Sequence, residues 1–185
     1  MDPGAVVLVE GISDQRALEA LARRRARDLH AEGVSVVAIG GSKNIARALE
    51  AFGPPGRGLR LAGLCDAGEE RDYVRGLERV GLGVDLTRAD MERLGFYVCV
   101  EDLEDELIRA LGVAAVERVI EGEQELDAFR TFQLQPAWRD RPHEEQLRRF
   151  FGTYGGRKIR SAPLLVEALD LDDVPRPLDR VLAHV

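Results

Sequence analysis

The sequence predicts an α/β protein, a mainly parallel sheet of four strands flanked by helices, and three observations carry the prediction. The runs Val6-Val7-Leu8-Val9, Leu61-Ala62-Gly63-Leu64-Cys65 and Phe96-Tyr97-Val98-Cys99-Val100 hold no charged or amide residue, as strands buried on both faces require. Between them lie stretches of helical periodicity, giving a β-helix-β-helix-β-helix-β order whose crossovers are right-handed. Each run is followed at once by an acid: Glu10, Asp66 and Glu101. In an open α/β sheet the functional site lies beyond the carboxyl ends of the strands. Carboxylates gathered there repel one another unless a cation or a proton joins them, so a divalent-metal site is expected.

Strand one ends at Glu10 and is broken by Gly11. Ser13 or Asp14 is placed to cap a helix over 15–30, where Ala17, Leu18, Leu21, Ala22 and Leu29 recur at helical spacing. Arg23, Arg24, Arg25 and Arg27 read as its solvated face, and Gly33 as its end. Strand two covers 34–39. Gly40-Gly41-Ser42 turns the chain, and Ser42 or Asn44 caps a helix to residue 52. The Gly/Pro-rich stretch 53–58 is a loop. Strand three, a helix over 71–80, a short helix capped by Thr87, and strand four follow. The acidic segment 101–111 suits a helix N-terminus. Residues 114–132 read as one further helix and 133–142 as a loop. Helices over 143–151 and 162–169 flank a turn at Gly155-Gly156. The division expected is an α/β core over 1–112 and a helical C-terminal extension over 113–185, packed on that core.

The length of 185 residues suits one domain, and 45% apolar with 32% charged residues supports an ordinary core and surface. No apolar stretch is long enough to span a membrane and no signal peptide opens the chain, so a cytoplasmic protein without a membrane partner is expected. Cys65 and Cys99 sit inside strands and read as buried free thiols of a reducing compartment. Together with three scattered histidines they offer no zinc spacing. The net charge of −7 argues against a uniformly basic nucleic-acid binder, but the charge is uneven. Residues 129–160 hold eight Arg or Lys against three Asp or Glu, a local +5 that leaves −12 for the rest of the chain. An acidic end beside a basic C-terminal part suits a phosphodiester substrate; an ordinary salt-bridged surface is the alternative. Lysine occurs only at Lys43 and Lys158, each after a glycine-containing turn. Either a compact ammonium is needed there or codon bias left two survivors.

Glu10 and Asp14 lie on either side of the first strand–helix bend, Asp66 ends another strand, and Glu101, Asp102, Glu104 and Asp105 follow a third. Such hard oxygen donors suit Mg²⁺ or Mn²⁺, which would activate water and neutralise a phosphoryl group. Lys158 would add a point charge at the leaving group or transition state. Gly40, Gly41, Ser42 and Lys43 at a helix start would hold a phosphate. Asp14 reads equally well as a plain helix cap, and the acids of 101–106 as a complement to a helix dipole. Arg139, Arg148, Arg149, Arg157 and Arg160, interleaved with Phe132, Trp138 and Tyr154, would track a nucleic-acid backbone and stack on bases, unless the aromatics are core.

The ordered set Leu8-Val9-Glu10-Gly11-Ile12-Ser13-Asp14, Val37-Ala38-Ile39-Gly40-Gly41-Ser42-Lys43-Asn44, Leu64-Cys65-Asp66, Asp102-Leu103-Glu104-Asp105-Glu106-Leu107 and Gly156-Arg157-Lys158 resembles a Toprim domain, the topoisomerase–primase metal-binding fold. The subtype it is most similar to is that of the OLD (overcoming lysogenization defect) ATP-dependent nucleases. The resemblance implies a Toprim-like (Rossmann-like) fold and a Mg²⁺- or Mn²⁺-dependent DNA nuclease that nicks or cleaves. It implies Glu10 as metal ligand or general base and Asp14 and Asp66 as ligands. Glu104 matches the motif after strand four better than Glu101, with Asp102 beside it, and Lys158 matches a late lysine near the scissile phosphate.

Two departures stand out. Asp66-Ala67-Gly68 replaces the Asp-x-Asp common in Toprim domains, leaving Glu69 or Glu70 to approach. There is also no Walker A sequence, so a stand-alone Toprim protein with no ATP site of its own is expected, with a separately encoded ATPase as a candidate partner. The competing reading is a weakly catalytic or non-catalytic nucleic-acid-binding or docking module. A receiver-type phosphoacceptor fits less well, because receivers cluster two acids after strand one and end before residue 158.

Overall fold

The computed structural model describes residues 3–185. Four strands, β1 (Ala5–Val9), β2 (Val34–Ala38), β3 (Arg60–Asp66) and β4 (Phe96–Cys99), form one sheet in the order β2-β1-β3-β4. All three pairings are parallel, with Val9 level with Ala38 and Leu64, and Asp66 level with Cys99. The chain therefore leaves the centre of the sheet in opposite directions from β1 and β3. That places a topological switch point, and a crevice, between their carboxyl ends.

Both faces of the sheet are covered, which is why the strands lack polar alternation. On one face Val6, Leu8, Leu61, Cys65, Phe96 and Val98 pack under α2 (Ile45–Phe52), α3 (Glu70–Arg79) and α4 (Arg88–Arg93). Thr87 caps α4 as its sequence suggests, exchanging hydrogen bonds with Asp90. On the other face Ala5, Val7, Val9, Ala62, Leu64, Tyr97 and Cys99 meet α1 (Ile12–Arg24) and the later helices. These are α5 (Leu103–Leu111), α6 (Val113–Gly122), α7 (Leu126–Gln133), α8 (His143–Phe151), α9 (Gly155–Ala168) and α10 (Arg176–His184). Helix α9 lies along α1, and α10 packs under β3 and β4. One apolar cluster thus runs from Ala5 to Leu182, and residues 113–185 supply part of the sheet's own cover. Cys65 and Cys99 are buried free thiols. Among the described residues no helix is long and apolar enough to cross a membrane.

Several boundaries differ from the sequence expectation, each for a tertiary reason. The first helix stops at Arg24 instead of reaching 30, because Ala26 takes a left-handed conformation (φ 55°). Ala26 N–H and Arg27 N–H bond back to the Arg23 and Ala22 carbonyls, a Schellman cap without its usual glycine. The turn aims the supposedly solvated arginines at the C-terminal helices. Arg24 donates to the Val166 and Leu169 carbonyls at the end of α9, and Arg27 to those of Leu182 and Val185 at the end of α10. Arg25 pairs with Asp179 at 2.7 Å.

The single helix expected over 114–132 is two, α6 and α7, broken where Gln124 has φ 60°. The break turns Glu125 toward Arg157 and Arg160 of α9. Gly155-Gly156 forms no turn; it is the first turn of α9, whose packing on α1 outweighs the poor helix propensity of glycine.

Candidate metal centre

The first strand–helix turn is built so that two acids face the crevice. Gly11, not Ser13 or Asp14, is the N-cap of α1, and Asp14 in the first turn reaches back to accept from Gly11 N–H at 2.8 Å. Glu10 precedes this cap at the end of β1, and Asp66 ends β3 beside it. Asp102 is the N-cap of α5, accepting from Asp105 N–H at 2.9 Å, and Glu104 follows in the first turn. Lys158 comes from the first turn of α9, and its Nζ lies 2.8 Å from Glu104 Oε2.

Burial and mutual repulsion make this a strained set of charges. Burial, reinforced by Glu104 and Glu10 and only partly offset by the Gly11 N–H, pushes Asp14 up to about 7. Asp66 is pushed up to about 8, by burial and then by Asp14, Asp102, Glu10 and Glu104. Glu10 is raised by burial and by Glu69, with Lys158 acting the other way. Burial draws the Lys158 ammonium down, but Glu104, Asp102 and Asp66 outweigh it and its pKa is raised. The Glu104 side chain is 3% exposed. Its Oε1, like Glu10 Oε2, is buried without a hydrogen-bond partner.

Hard oxygen donors with two partnerless atoms fit a divalent cation in chemistry. Among the described residues, however, no three Asp, Glu, His or Cys side chains are drawn into ligand geometry. One of the oxygens is taken by Lys158 instead.

The remaining candidates divide. Glu101 points away from the cluster: its side chain is 59% exposed and pairs with Arg148 at 3.4 Å. Its carbonyl accepts from Ala67 N–H, tying the β4–α5 loop to the β3–α3 loop. Gly68, where Toprim domains often carry the second aspartate, has open space at its Cβ position. Of the two following acids, Glu69 turns toward Glu10 and accepts from Ser42 Oγ at 2.7 Å, while Glu70 turns away to Arg88.

The phosphate reading of Gly40, Gly41, Ser42 and Lys43 is corrected by this loop. Both glycine N–H groups donate to the Glu10 carbonyl at 3.0 and 3.1 Å. The Ser42 hydroxyl serves Glu69 and Asp72, and the Lys43 ammonium lies 2.9 Å from Asp72. With φ of 73° and 110°, Gly40 and Gly41 are needed for the bend that docks this loop against Glu10. The two glycine N–H groups are thereby withheld from an anion.

The basic residues also separate. Arg157 is a structural arginine: 7% exposed, stacked 3.8 Å over Phe150 and bonded to Glu125, Thr153 and the Phe150 carbonyl. Arg160 pairs with Glu125 and Glu123, and Arg139 with its neighbour Asp140. Arg148 bridges Asp102 and Glu101. Arg149 is exposed, lies over the Trp138 ring, and has no carboxylate partner among the described residues. Of the aromatics, Phe132 is core, Trp138 stacks on it half-buried, and Tyr154 is exposed. A groove of about 700 Å³ joins Trp138, Arg148 and Arg149 to Glu101, Asp102 and Lys158. Sequence reasoning missed the structural acid Glu125 because no motif surrounds it.

A parallel sheet whose switch point collects acids from two strand ends and the following helix turns, with a lysine opposite, is the arrangement of the Toprim fold. Residues 4–66 match the family model described as the Toprim domain of overcoming lysogenization defect-like proteins. The fold agrees over the whole chain. The C-terminal region of the Xanthomonas campestris pv. campestris OLD protein superposes with a TM-score of 0.77 at 25% identity, covering 99% of this chain and 92% of that one. The C-terminal region of the Burkholderia pseudomallei OLD protein gives a TM-score of 0.77 at 21% identity, covering 100% and 97%. No curated protein matches.

Proposed function

We propose that this chain is a divalent-metal-dependent nuclease that hydrolyses phosphodiester bonds in DNA. The observation that carries the reading is the carboxylate set Glu10, Asp14, Asp66 and Glu104 at the switch point, Glu104 buried and the other three partly so, with two oxygens lacking partners and one lysine among them. Glu10, Asp14, Asp66 and Glu104 would hold Mg²⁺ or Mn²⁺, with Asp102 at the rim. When bound, the cation supplies activation of water and neutralisation of phosphoryl charge.

The rest falls to the chain itself. Asp14 and Asp66, with pKa values pushed up to about 7 and 8, give up protons as they become ligands. Glu10 stands at the crevice as ligand or as acceptor of a proton from the attacking water. Lys158 offers a point charge to the phosphoryl oxygens or the leaving group. Arg149 and Trp138 hold the strand in the groove by charge and stacking.

Supercoiled plasmid incubated with Mn²⁺ or Mg²⁺ tests this. Metal-dependent nicking or linearisation, lost in Glu10→Ala, is the expected result. Cleavage equal in Glu10→Ala and wild type assigns the cutting to another site or a contaminant. Salt-sensitive DNA binding without strand breaks favours the second reading, a binding module working with a separate ATPase, which the glycine at position 68 supports.

A further inference from the structure

We infer that Lys158 is the resident counter-cation of the carboxylate cluster and that a divalent metal must take Glu104 from it, releasing the ammonium into the groove. The inference rests on the metal reading above and adds an order of events to it. Lys158 opposes metal binding, and its charge reaches the substrate channel only after the metal is in place.

Three observations lead there. The Glu104 carboxylate is sealed from water, with a side chain 3% exposed, yet only one of its oxygens is satisfied: Oε2 by Lys158 Nζ at 2.8 Å. The free Oε1 belongs to the same carboxylate, so a metal bound there and an ammonium left on Oε2 would place two cations within a few bonds of each other. With the Glu104 side chain 3% exposed, solvent screens the two charges poorly on the carboxylate side. One cation has to go, and Lys158 is the one with an exit. Its side chain is 35% exposed and lines the groove that also holds Asp102, Arg148, Arg149 and Trp138. Four flexible methylenes let an ammonium swing between two such positions without moving α9. Among the described residues the acids are also not yet in ligand geometry, as expected of a cluster balanced by an ammonium ion.

The chain's composition supplies the test. It has only two lysines, so protein labelled with ¹⁵N-lysine gives two side-chain ammonium resonances, assigned by Lys43→Arg. Without metal, Lys158 should show an ammonium protected from exchange with water, while Lys43, 82% exposed, is averaged. Saturating Mg²⁺ should remove the protection of Lys158 and leave Lys43 unchanged. In parallel, Lys158→Met should tighten Mn²⁺ binding, read by electron paramagnetic resonance, by about tenfold, the equivalent of one charge-assisted hydrogen bond no longer broken. Lys158→Arg, which keeps the pair, should bind Mn²⁺ nearly as wild type does. In a Glu104→Gln background, Lys158→Met should bring no further tightening.

A Lys158 ammonium still protected at saturating Mg²⁺ overturns the inference, as does unchanged or weaker Mn²⁺ binding by Lys158→Met. If Lys158→Met does not fold, the wild-type resonance decides alone. Absence of any Mn²⁺ binding by the wild type overturns the metal reading together with this one. Binding with Lys158 unmoved overturns only this one.

Discussion

Arg148 Nε donates to Asp102 Oδ2 at 2.7 Å, fastening α8 to the N-cap of α5 and so to the rim of the carboxylate cluster. The pair makes the groove a junction between the acidic and basic parts of the chain. To bind a phosphate Arg148 would have to give up a carboxylate, whereas Arg149 next to it has none to leave among the described residues.

Arg149→Glu is therefore expected to weaken DNA binding several-fold at fixed salt, with an unchanged melting temperature. Fluorescence anisotropy over a salt series should show the slope of log affinity against log salt reduced by about one. An unchanged affinity removes the groove from the nucleic-acid path.

Arg157→Ala should act on stability. It removes the donor to Thr153 Oγ1 and one of the donors to Glu125 and to the Phe150 carbonyl, which keep Arg160 and Thr153, and it exposes a ring face. A loss of about 1–3 kcal/mol is expected from urea denaturation. DNA affinity, measured where the variant is folded, should stay near that of wild type. A mild stability cost with a large affinity loss would make Arg157 a nucleic-acid contact after all.

The cap of α1 gives a pair of opposite effects. Ala26 sits at φ 55°, a conformation glycine adopts freely. Ala26→Gly should raise stability by about 0.5–1 kcal/mol. Arg27→Ala removes the donors to the Leu182 and Val185 carbonyls and should lower it by about 1–2 kcal/mol. Both are read from denaturation midpoints, and destabilisation by Ala26→Gly would refute the strained-cap account.

The pH dependence of the metal-free protein has a definite sign. Asp14 and Asp66 have folded-state values of about 7 and about 8 against an ordinary 3.8. Between these limits the native state holds protons that the unfolded chain has lost, so stability falls as pH rises. The acids with lowered pKa values, such as Glu70 and Glu117, are ionised in both states above about pH 5.5 and add no slope there. The melting temperature should drop from pH 5.5 to 8.5, Asp66→Asn should flatten that drop, and Mg²⁺ should reverse it at the upper end. A melting temperature that climbs over this range in the absence of metal contradicts the buried-carboxylate account.

The sheet was legible in the sequence because burial on both faces forbids polar residues in β1, β3 and β4, and because acids close those runs. The acids Glu10, Asp14 and Asp66 could be placed at the crevice on that ground, and Lys158 and Glu104 by their resemblance to known motifs. Local chemistry was misleading wherever a distant partner overrode it. Ala26 ends α1 without glycine because Arg27 is held by α10, and Gly155-Gly156 stays helical because α9 lies on α1. Gly40-Gly41 looks like a phosphate loop until its N–H groups are seen on the Glu10 carbonyl.

Spacing along a chain sets which strands and helices form, since burial and periodicity are local properties of the sequence. Whether a charged side chain is ligand, clamp or free surface depends on which opposite charge lies within hydrogen-bond reach. Glu104 and Lys158 are 54 residues apart, and Arg148 and Asp102 are 46 apart. The packing of α8 and α9 against α5 is what brings each pair together.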